Sequence, residues 1–143
     1  VENMEVKPAV LQLETHVFSQ QKRMRGLMAP YGTRLMAWAP LAEGRNGIFT
    51  HPTLTAIGAK YGKTAAQTAL RFLMAEDVIA IPKSVHRERL VENFSIDDFE
   101  LSAEDLDAIR ALDGGKPMFA DFNDPALAKF LLEYDAKFNP ERQ

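Results

Sequence analysis

Cysteine and long hydrophobic runs are both absent from this sequence. The 143 residues contain no Cys, which excludes a disulfide scaffold and a thiolate metal site and fits a reducing, cytoplasmic compartment. No apolar run approaches the roughly 20 residues that a membrane-spanning helix needs, and no signal-peptide pattern is visible. We therefore expect a cytoplasmic protein that does not associate with a membrane.

Excess charge is lacking as well. The formal net charge is −3, which argues against a general surface for nucleic acid or anionic lipid. Binding of a phosphate group would therefore require a local basic cluster. The three histidines have no partners at metal-ligand spacing, so no metal site is expected. The length and the 46% hydrophobic content suffice for one domain with a core.

Three apolar segments have the length and composition of β-strands, at about 9–14, 33–38 and 78–81. Helical patterns lie between and after them: 18–29, a helix from Pro52 to Gly62, a helix opened by the capping box Thr64–Gln67, 87–93, a helix from Ser102, and a last one from Asp124–Pro125. Residues 39–50 read as a loop. Strands that alternate with helices predict an α/β fold with parallel strands.

The most informative segment follows the third strand. That strand ends at Pro82, and Lys83, Ser84 and a short basic helix come next. A lysine point charge, the Arg89 fork and the free N–H groups of a helix start suit a phosphate. Arg89, Glu92 and Asn93 share one helix face, where a cation, a carboxylate and an amide could hold a nucleotide. A solvated basic surface is the alternative, and spacing alone leaves both open.

This segment resembles the NADPH-binding segment of the aldo-keto reductases. The resemblance rests on Pro82-Lys83-Ser84, then Glu88-Arg89, then Glu92-Asn93-Phe94, and it continues through residues 94–101 to the acidic pair Glu104-Asp105. It implies that Lys83 and Arg89 neutralise the 2′-phosphate of NADPH. It also implies hydroxyl, backbone and edge contacts from Ser84, Val85 and His86, and bonds to the adenine from Glu92 and Asn93.

The first strand resembles the sixth-strand motif of the same family, through Pro8-Ala9-Val10, Gln12, Glu14 and His16. The resemblance implies that Gln12 bonds the nicotinamide carboxamide. Leu11 and Val17 depart from the family's usual Asn and Pro. A polar barrel residue with its hydrogen bonds satisfied is the alternative interpretation of Gln12.

The second strand ends in Ala37-Trp38-Ala39-Pro40-Leu41, which resembles the seventh-strand motif aromatic-Ser-Pro-Leu. Trp38 would then stack on the nicotinamide ring, since a flat indole covers it well; core packing is the alternative. Ala39 replaces the usual serine, so a hydroxyl contact near the pyrophosphate is lost. The remaining members of this predicted pyrophosphate side are Leu41, Glu43 and Gly44.

The resemblance spans about residue 6 to about residue 113 and implies a fold class. It corresponds to the C-terminal portion of a (β/α)8 TIM barrel, with three parallel strands and flanking helices, whereas a whole barrel needs about 250 residues. The implied activity is reduction of aldehydes or ketones to alcohols by hydride transfer from NADPH. The resemblance also implies that the C-terminal tail forms a wall of the substrate pocket. The aromatic residues of this tail are Phe119, Phe122, Phe130, Tyr134 and Phe138, and for Phe130 and Tyr134 plain packing of a last helix is favoured instead.

The family's proton donor is a Tyr supported by Lys, Asp and usually His on earlier strands. None of Tyr31, Tyr61 and Tyr134 follows a predicted strand, so we expect no catalytic residue here and an inactive isolated chain. The sequence starts with Val1 rather than Met, which is typical of a fragment, of a processed product or of an artificially shortened chain. The alternatives are a non-catalytic module that pairs with a second copy or with a separate N-terminal chain, and an inert remnant.

Overall fold

The computed structural model describes residues 3–120, 124–127, 129–130 and 133. One parallel sheet has the order β1-β2-β3, with β1 Val10–Glu14, β2 Arg34–Trp38 and β3 Ile79–Ala80. Each strand is joined to the next through helices, as parallel pairing requires. The expected α/β fold with three parallel strands is confirmed.

Between residues 3 and 120 the structure has five α-helices: α1 Lys22–Met28, α2 Pro52–Lys60, α3 Ala65–Ala75, α4 Arg87–Phe94 and α5 Ala103–Arg110. Short 3-10 turns cover Ala29–Tyr31 and Ala42–Thr50. The predicted capping box is present, because Thr64 Oγ1 accepts from the Gln67 N–H at 3.2 Å while Gln67 Oε1 accepts from the Thr64 N–H at 3.0 Å. Residues 125–127 and 129–130 are helical, where the last helix was expected.

The core lies between the helices and one face of the sheet. Leu35 and Ala37 of β2 are buried with Ile57, Phe72 and Leu73. Because side chains alternate along a strand, the intervening residues project to the opposite face. We call this side the open face; its residues are Val10, Gln12 and Glu14 of β1, and Arg34, Met36 and Trp38 of β2.

The third strand is shorter and more exposed than predicted. The sequence predicted a strand over 78–81, buried on both faces. The observed strand is Ile79–Ala80, both residues are half-buried, and Ile81 is 42% exposed. The physical reason is that, among the described residues, β3 pairs only with β2. An apolar groove of about 500 Å³ runs beside β3, between Met74, Leu90 and Phe94.

The first helix also starts later than predicted. The sequence predicted a helix over 18–29, but α1 begins at Lys22. Residues 16–19 instead form a tight turn, in which the His16 and Ser19 backbones exchange hydrogen bonds of 3.1 and 3.0 Å. Gln21 then adopts a left-handed conformation with φ 51°, which cannot continue a helix. The predicted loop 39–50 was also wrong in part, since residues 42–50 form 3-10 turns.

Candidate functional site

The segment after β3 and the first turns of α4 form one wall of an open groove. The groove has a volume of about 510 Å³. It brings together Leu41, Lys83, Ser84, Val85, His86, Arg89, Glu92 and Asn93, all of which the sequence predicted as site residues, with Phe49, Thr64 and Ala66 on the facing side. We call it the Lys83 groove. The predicted sharing of one helix face by Arg89, Glu92 and Asn93 is confirmed.

Two cations in the Lys83 groove are unpaired. Within the described part of the chain, neither the Lys83 side chain nor the Arg89 side chain makes an ion pair or a hydrogen bond. A turn fixes the start of α4 between them, because the His86 N–H donates to Ser84 Oγ at 3.1 Å and the Ser84 hydroxyl donates to the His86 carbonyl at 3.3 Å. The groove therefore presents two solvated positive charges and a helix start, which suits a dianionic phosphate.

The far end of the groove is held in place by α3. The Thr64 hydroxyl donates to Glu92 Oε1 at 2.6 Å. Gln67 Nε2 donates to the carbonyls of Glu92 at 3.1 Å and Ser95 at 3.0 Å. The capping box that starts α3 therefore also positions the end of α4. The spacing of Thr64 and Gln67 predicts the helix start, but no signal in the sequence predicts their contacts with Glu92.

Gln12 and Trp38 lie on the same face of the sheet. In the β1–β2 register, Gln12 faces Met36 and Glu14 faces Trp38, so Gln12 and Trp38 are diagonal neighbours on the open face. Ala37 faces Ala80 in the β2–β3 register, which places Trp38 and the segment leading to Lys83 at the carboxyl ends of adjacent strands. Ligands of parallel α/β folds bind at this edge.

The turn after β2 has an unusual backbone. Ala39, Ala42 and Glu43 have φ near 50°, and Gly44 has φ 78°. The Ala42 N–H donates to the Ala39 carbonyl at 2.8 Å, and the Gly44 N–H donates to the Leu41 carbonyl at 2.9 Å. Left-handed non-glycine residues cost free energy and cluster at functional sites.

Six predicted site residues are not among those lining the Lys83 groove. They are Gln12, Trp38, Ala39, Glu43, Gly44 and Pro82. Gln12 and Trp38 lie on the open face, and Pro82 lines the apolar groove beside β3. Glu43 Oε2 lies 4.0 Å from Arg45 Nη2. The structure thus divides the predicted residues between the Lys83 groove, the open face and the turn after β2, with Pro82 in the apolar groove beside β3.

A buried pair that the sequence analysis named only as part of a motif lies at the end of β1. Glu14 is 2% exposed and His16 is fully buried. The Phe18 N–H donates to His16 Nδ1 at 3.2 Å, so the imidazole proton is on Nε2 and is donated to Glu14 Oε1 at 3.1 Å. Burial lowers the His16 pKa, and the charges of Glu14 and Asp113 oppose that shift in part.

The lowered pKa of His16 predicts a pH dependence of stability. In the unfolded chain His16 titrates near its ordinary pKa of about 6.5, and the folded protein binds that proton less readily. The unfolded state therefore holds more protons just below pH 6.5, and the free energy of unfolding should fall as the pH drops below about 6.5. Urea unfolding at several pH values measures this.

Two comparisons isolate the contribution of His16. His16→Gln should remove the dependence between pH 6.5 and 5, whereas His86→Gln, at an exposed position, should retain it. Four of the described carboxylates have lowered pKa values and titrate at lower pH: Glu76, Asp98, Glu104 and Asp105. Burial acts to raise the pKa of Glu76, but hydrogen bonds from Arg25 and Arg110 outweigh burial and lower it. Burial also acts to raise the pKa of Asp105, and hydrogen bonds from Lys60 and Tyr61 outweigh burial there. A flat profile from pH 7 to 5 in the unmodified chain would contradict the assignment.

A tyrosine, a lysine and an aspartate do meet in this chain, away from the groove. The Tyr61 hydroxyl donates to Asp105 Oδ2 at 2.7 Å and accepts from the Ser102 N–H at 3.1 Å, and Lys60 also donates to Asp105. The hydroxyl is thus used as both donor and acceptor in joining α2 to α5. None of these residues lines the Lys83 groove or lies on the open face. We interpret the cluster as a structural link between helices.

The family model described as "Aldo/keto reductase family" matches residues 1–114. This chain belongs to the aldo-keto reductase family. It is 39% identical over 121 residues to an aldo-keto reductase of Mycobacterium sp. (strain KMS), covering 85% of this chain and 43% of that protein. It is 36% identical over 116 residues to methylglyoxal reductase DkgA of Escherichia coli (strain K12), covering 81% of this chain and 42% of DkgA. The chain spans less than half the length of these relatives.

Solved aldo-keto reductase structures have the same fold over the matched part. MGS-M4, an aldo-keto reductase from a Medee basin deep-sea metagenome library, superposes with TM-score 0.81 at 35% identity, covering 86% of this chain and 46% of that one. A mutant of Gox0644 in complex with NADPH gives TM-score 0.76 at 32% identity, covering 85% and 46%. The resemblance inferred from the sequence is confirmed, and so is the fold class.

The described residues contain neither a membrane-spanning helix nor a metal-binding cluster. None of the helices there is long and apolar enough to cross a lipid bilayer. No group of three or more His, Asp or Glu side chains in the same residues could hold a metal ion.

Proposed function

We propose that this chain forms the cofactor-binding part of an NADPH-dependent reductase that converts aldehydes or ketones to alcohols. The observation that carries the proposal is the pair of unpaired cations, Lys83 and Arg89, in one groove at the carboxyl edge of the sheet. Family membership and the NADPH complex of Gox0644 support it.

The proposed site assigns the adenosine end to the Lys83 groove. Lys83 and Arg89 hold the 2′-phosphate, where the planar guanidinium makes two hydrogen bonds and the ammonium adds a point charge. The other contacts there come from Ser84, Val85, His86, Glu92 and Asn93, with Glu92 oriented by Thr64. The turn after β2 joins the groove to the open face, and we assign its residues Ala39, Leu41, Glu43 and Gly44 to the pyrophosphate side. Pro82, which precedes Lys83, is assigned to the cofactor site as a backbone neighbour of that cation.

The nicotinamide end is assigned to the open face. Gln12 donates to and accepts from the carboxamide, and Trp38 covers one face of the ring, so that the other face is offered to the carbonyl carbon. NADPH supplies the hydride. We assign no proton donor among the described residues. Tyr61 is committed to Asp105 and Ser102, and Tyr31 belongs to the turn before β2, at the amino end of that strand. The chain's own contribution is therefore binding and orientation.

Trp38 is the only tryptophan of the chain, which provides a direct test. If the nicotinamide lies on Trp38, adding NADPH to the 143-residue chain should quench the indole emission by energy transfer to the reduced ring. NADPH that leaves the emission unchanged after correction for absorbed light would contradict the proposal.

A further inference from the structure

Residues 113–119 cross the carboxyl ends of β1 and β2, and we call them the strap. The strap is fixed at its first residue, because Asp113 Oδ1 accepts from the Gln20 N–H at 3.1 Å and Lys22 Nζ lies 3.3 Å from Asp113 Oδ2. Next to it, the Gly114 N–H donates to the Phe18 carbonyl at 2.9 Å. These contacts tie the start of the strap to the turn after β1.

At the other end of the strap, the Glu14 side chain binds two backbone N–H groups. Its Oε1 accepts from the Met118 N–H at 2.5 Å and its Oε2 accepts from the Phe119 N–H at 3.1 Å. His16 Nε2 donates to Oε1 as well. Three N–H donors thus converge on one buried carboxylate. A buried carboxylate without these donors would be costly, so Glu14 and the strap stabilise each other.

The consequence is the position of Phe119. Its ring packs against Trp38 with centroids 5.3 Å apart and against His16 at 6.3 Å, and the Arg45 guanidinium carbon lies 4.4 Å from the ring centre. Glu14 also faces Trp38 in the β1–β2 register. Glu14 therefore fixes the backbone of Phe119. The ring of Phe119 packs against Trp38, which is the cross-strand neighbour of Glu14.

We infer that Glu14 is a positioning residue, whose carboxylate holds the strap so that Phe119 forms one wall of the space beside Trp38. The role of this wall in a reaction rests on the proposed function, since Trp38 is the residue assigned to the nicotinamide. The wall limits the room for the carbonyl compound on that side and offers it an aromatic face. Release of the strap would remove the wall and expose the Trp38 indole to water, while the Gln12 and Trp38 side chains remain in place on the sheet.

Hydrogen exchange of the unmodified chain provides the first test. The amides of Met118 and Phe119 should exchange more slowly than in an unstructured peptide. The substitution Glu14→Gln introduces a side chain of equal size that has only one acceptor oxygen. Its NH₂ group would then face the strap N–H that the second carboxylate oxygen had bound. Both amides should then exchange about tenfold faster, or more, from loss of a hydrogen bond to a charged group. The Gly114 amide, bound to the Phe18 carbonyl, should not change.

Emission from Trp38 provides the second test. Glu14→Gln should shift it to longer wavelength, because water reaches the indole once Phe119 moves. Phe119→Leu should give the same shift but leave the Met118 amide protected. Glu76→Gln is the matched control, since Glu76 is a buried carboxylate that binds Arg25 and Arg110 instead of the strap; it should change neither amide nor emission.

Each outcome decides the inference. Fast exchange at Met118 and Phe119 in the unmodified chain would overturn it, even if Glu14→Gln does not fold. Unchanged emission in both Glu14→Gln and Phe119→Leu would overturn it as well. Neither test uses a cofactor, so they are independent of the proposed function. A protected strap in a chain that does not respond to NADPH would refute the proposed function alone.

Discussion

Replacing Lys83 and Arg89 together by Met should weaken NADPH binding about 100-fold and leave NADH binding within about threefold. The two cofactors differ only in the 2′-phosphate. Each hydrogen bond to a charged group contributes about 1.5–3 kcal/mol, and Lys83 and Arg89 are both unpaired in the groove, so no internal partner is stranded by their removal. Calorimetric titration of the variant and the unmodified chain with both cofactors measures the difference.

The control for this double substitution is Arg87→Met. Arg87 belongs to the same helix, α4, but is not among the residues that line the Lys83 groove. Its loss removes one positive charge near the site and should change NADPH affinity by less than about threefold, as expected for a solvated charge. An equal loss of NADPH and NADH affinity in the double variant would refute the role in 2′-phosphate binding.

Gly58→Ala should lower the free energy of unfolding by about 3 kcal/mol. A Cβ at Gly58 would lie 2.4 Å from the Lys63 carbonyl oxygen and 2.7 Å from Thr68 Oγ1. The Lys63 carbonyl is backbone, and the Lys63 N–H is itself bonded to the Gly58 carbonyl at 2.9 Å, so the turn cannot move aside without losing that bond. The overlap therefore has to separate α2 from α3.

Gly26→Ala is the matched comparison. Gly26 lies within α1, and a Cβ there would meet nothing within 4 Å. Since alanine is about 0.5–1 kcal/mol better than glycine inside a helix, this variant should be slightly stabilised. Urea denaturation of both variants measures the two effects. A Gly58→Ala chain as stable as the unmodified one would show that α2 and α3 are less closely packed than described.

The features that sequence predicted well depend on local signals. β1 and β2 follow from apolar runs bounded by proline and glycine, and the capping box follows from Thr64 and Gln67 at the required spacing. The residues from Lys83 to Asn93 came together because they are close in sequence and lie on one short helix. Their roles in binding remain predictions, as do those of Gln12 and Trp38.

The features that sequence did not predict depend on distant contacts. Glu14 is buried by Met118 and Phe119, which are 104 and 105 residues away along the chain, so no window on the sequence could show it. The helix predicted from Phe18 is replaced by a turn and a left-handed Gln21, and the Phe18 carbonyl in that turn accepts from the distant Gly114 N–H. Of the predicted tail aromatics, Phe119 lies against Trp38 and Phe130 is 58% exposed; Phe122, Tyr134 and Phe138 lie outside the described residues.

The central claim is that one dinucleotide spans the Lys83 groove and the indole of Trp38. Titration of the unmodified chain with NADPH, followed by Trp38 emission, tests it most directly when a 2′,5′-ADP competitor is added afterwards. The account predicts saturable quenching by NADPH and its reversal by 2′,5′-ADP, which occupies the groove without reaching Trp38. Quenching that 2′,5′-ADP does not reverse, or no quenching at all, would contradict it.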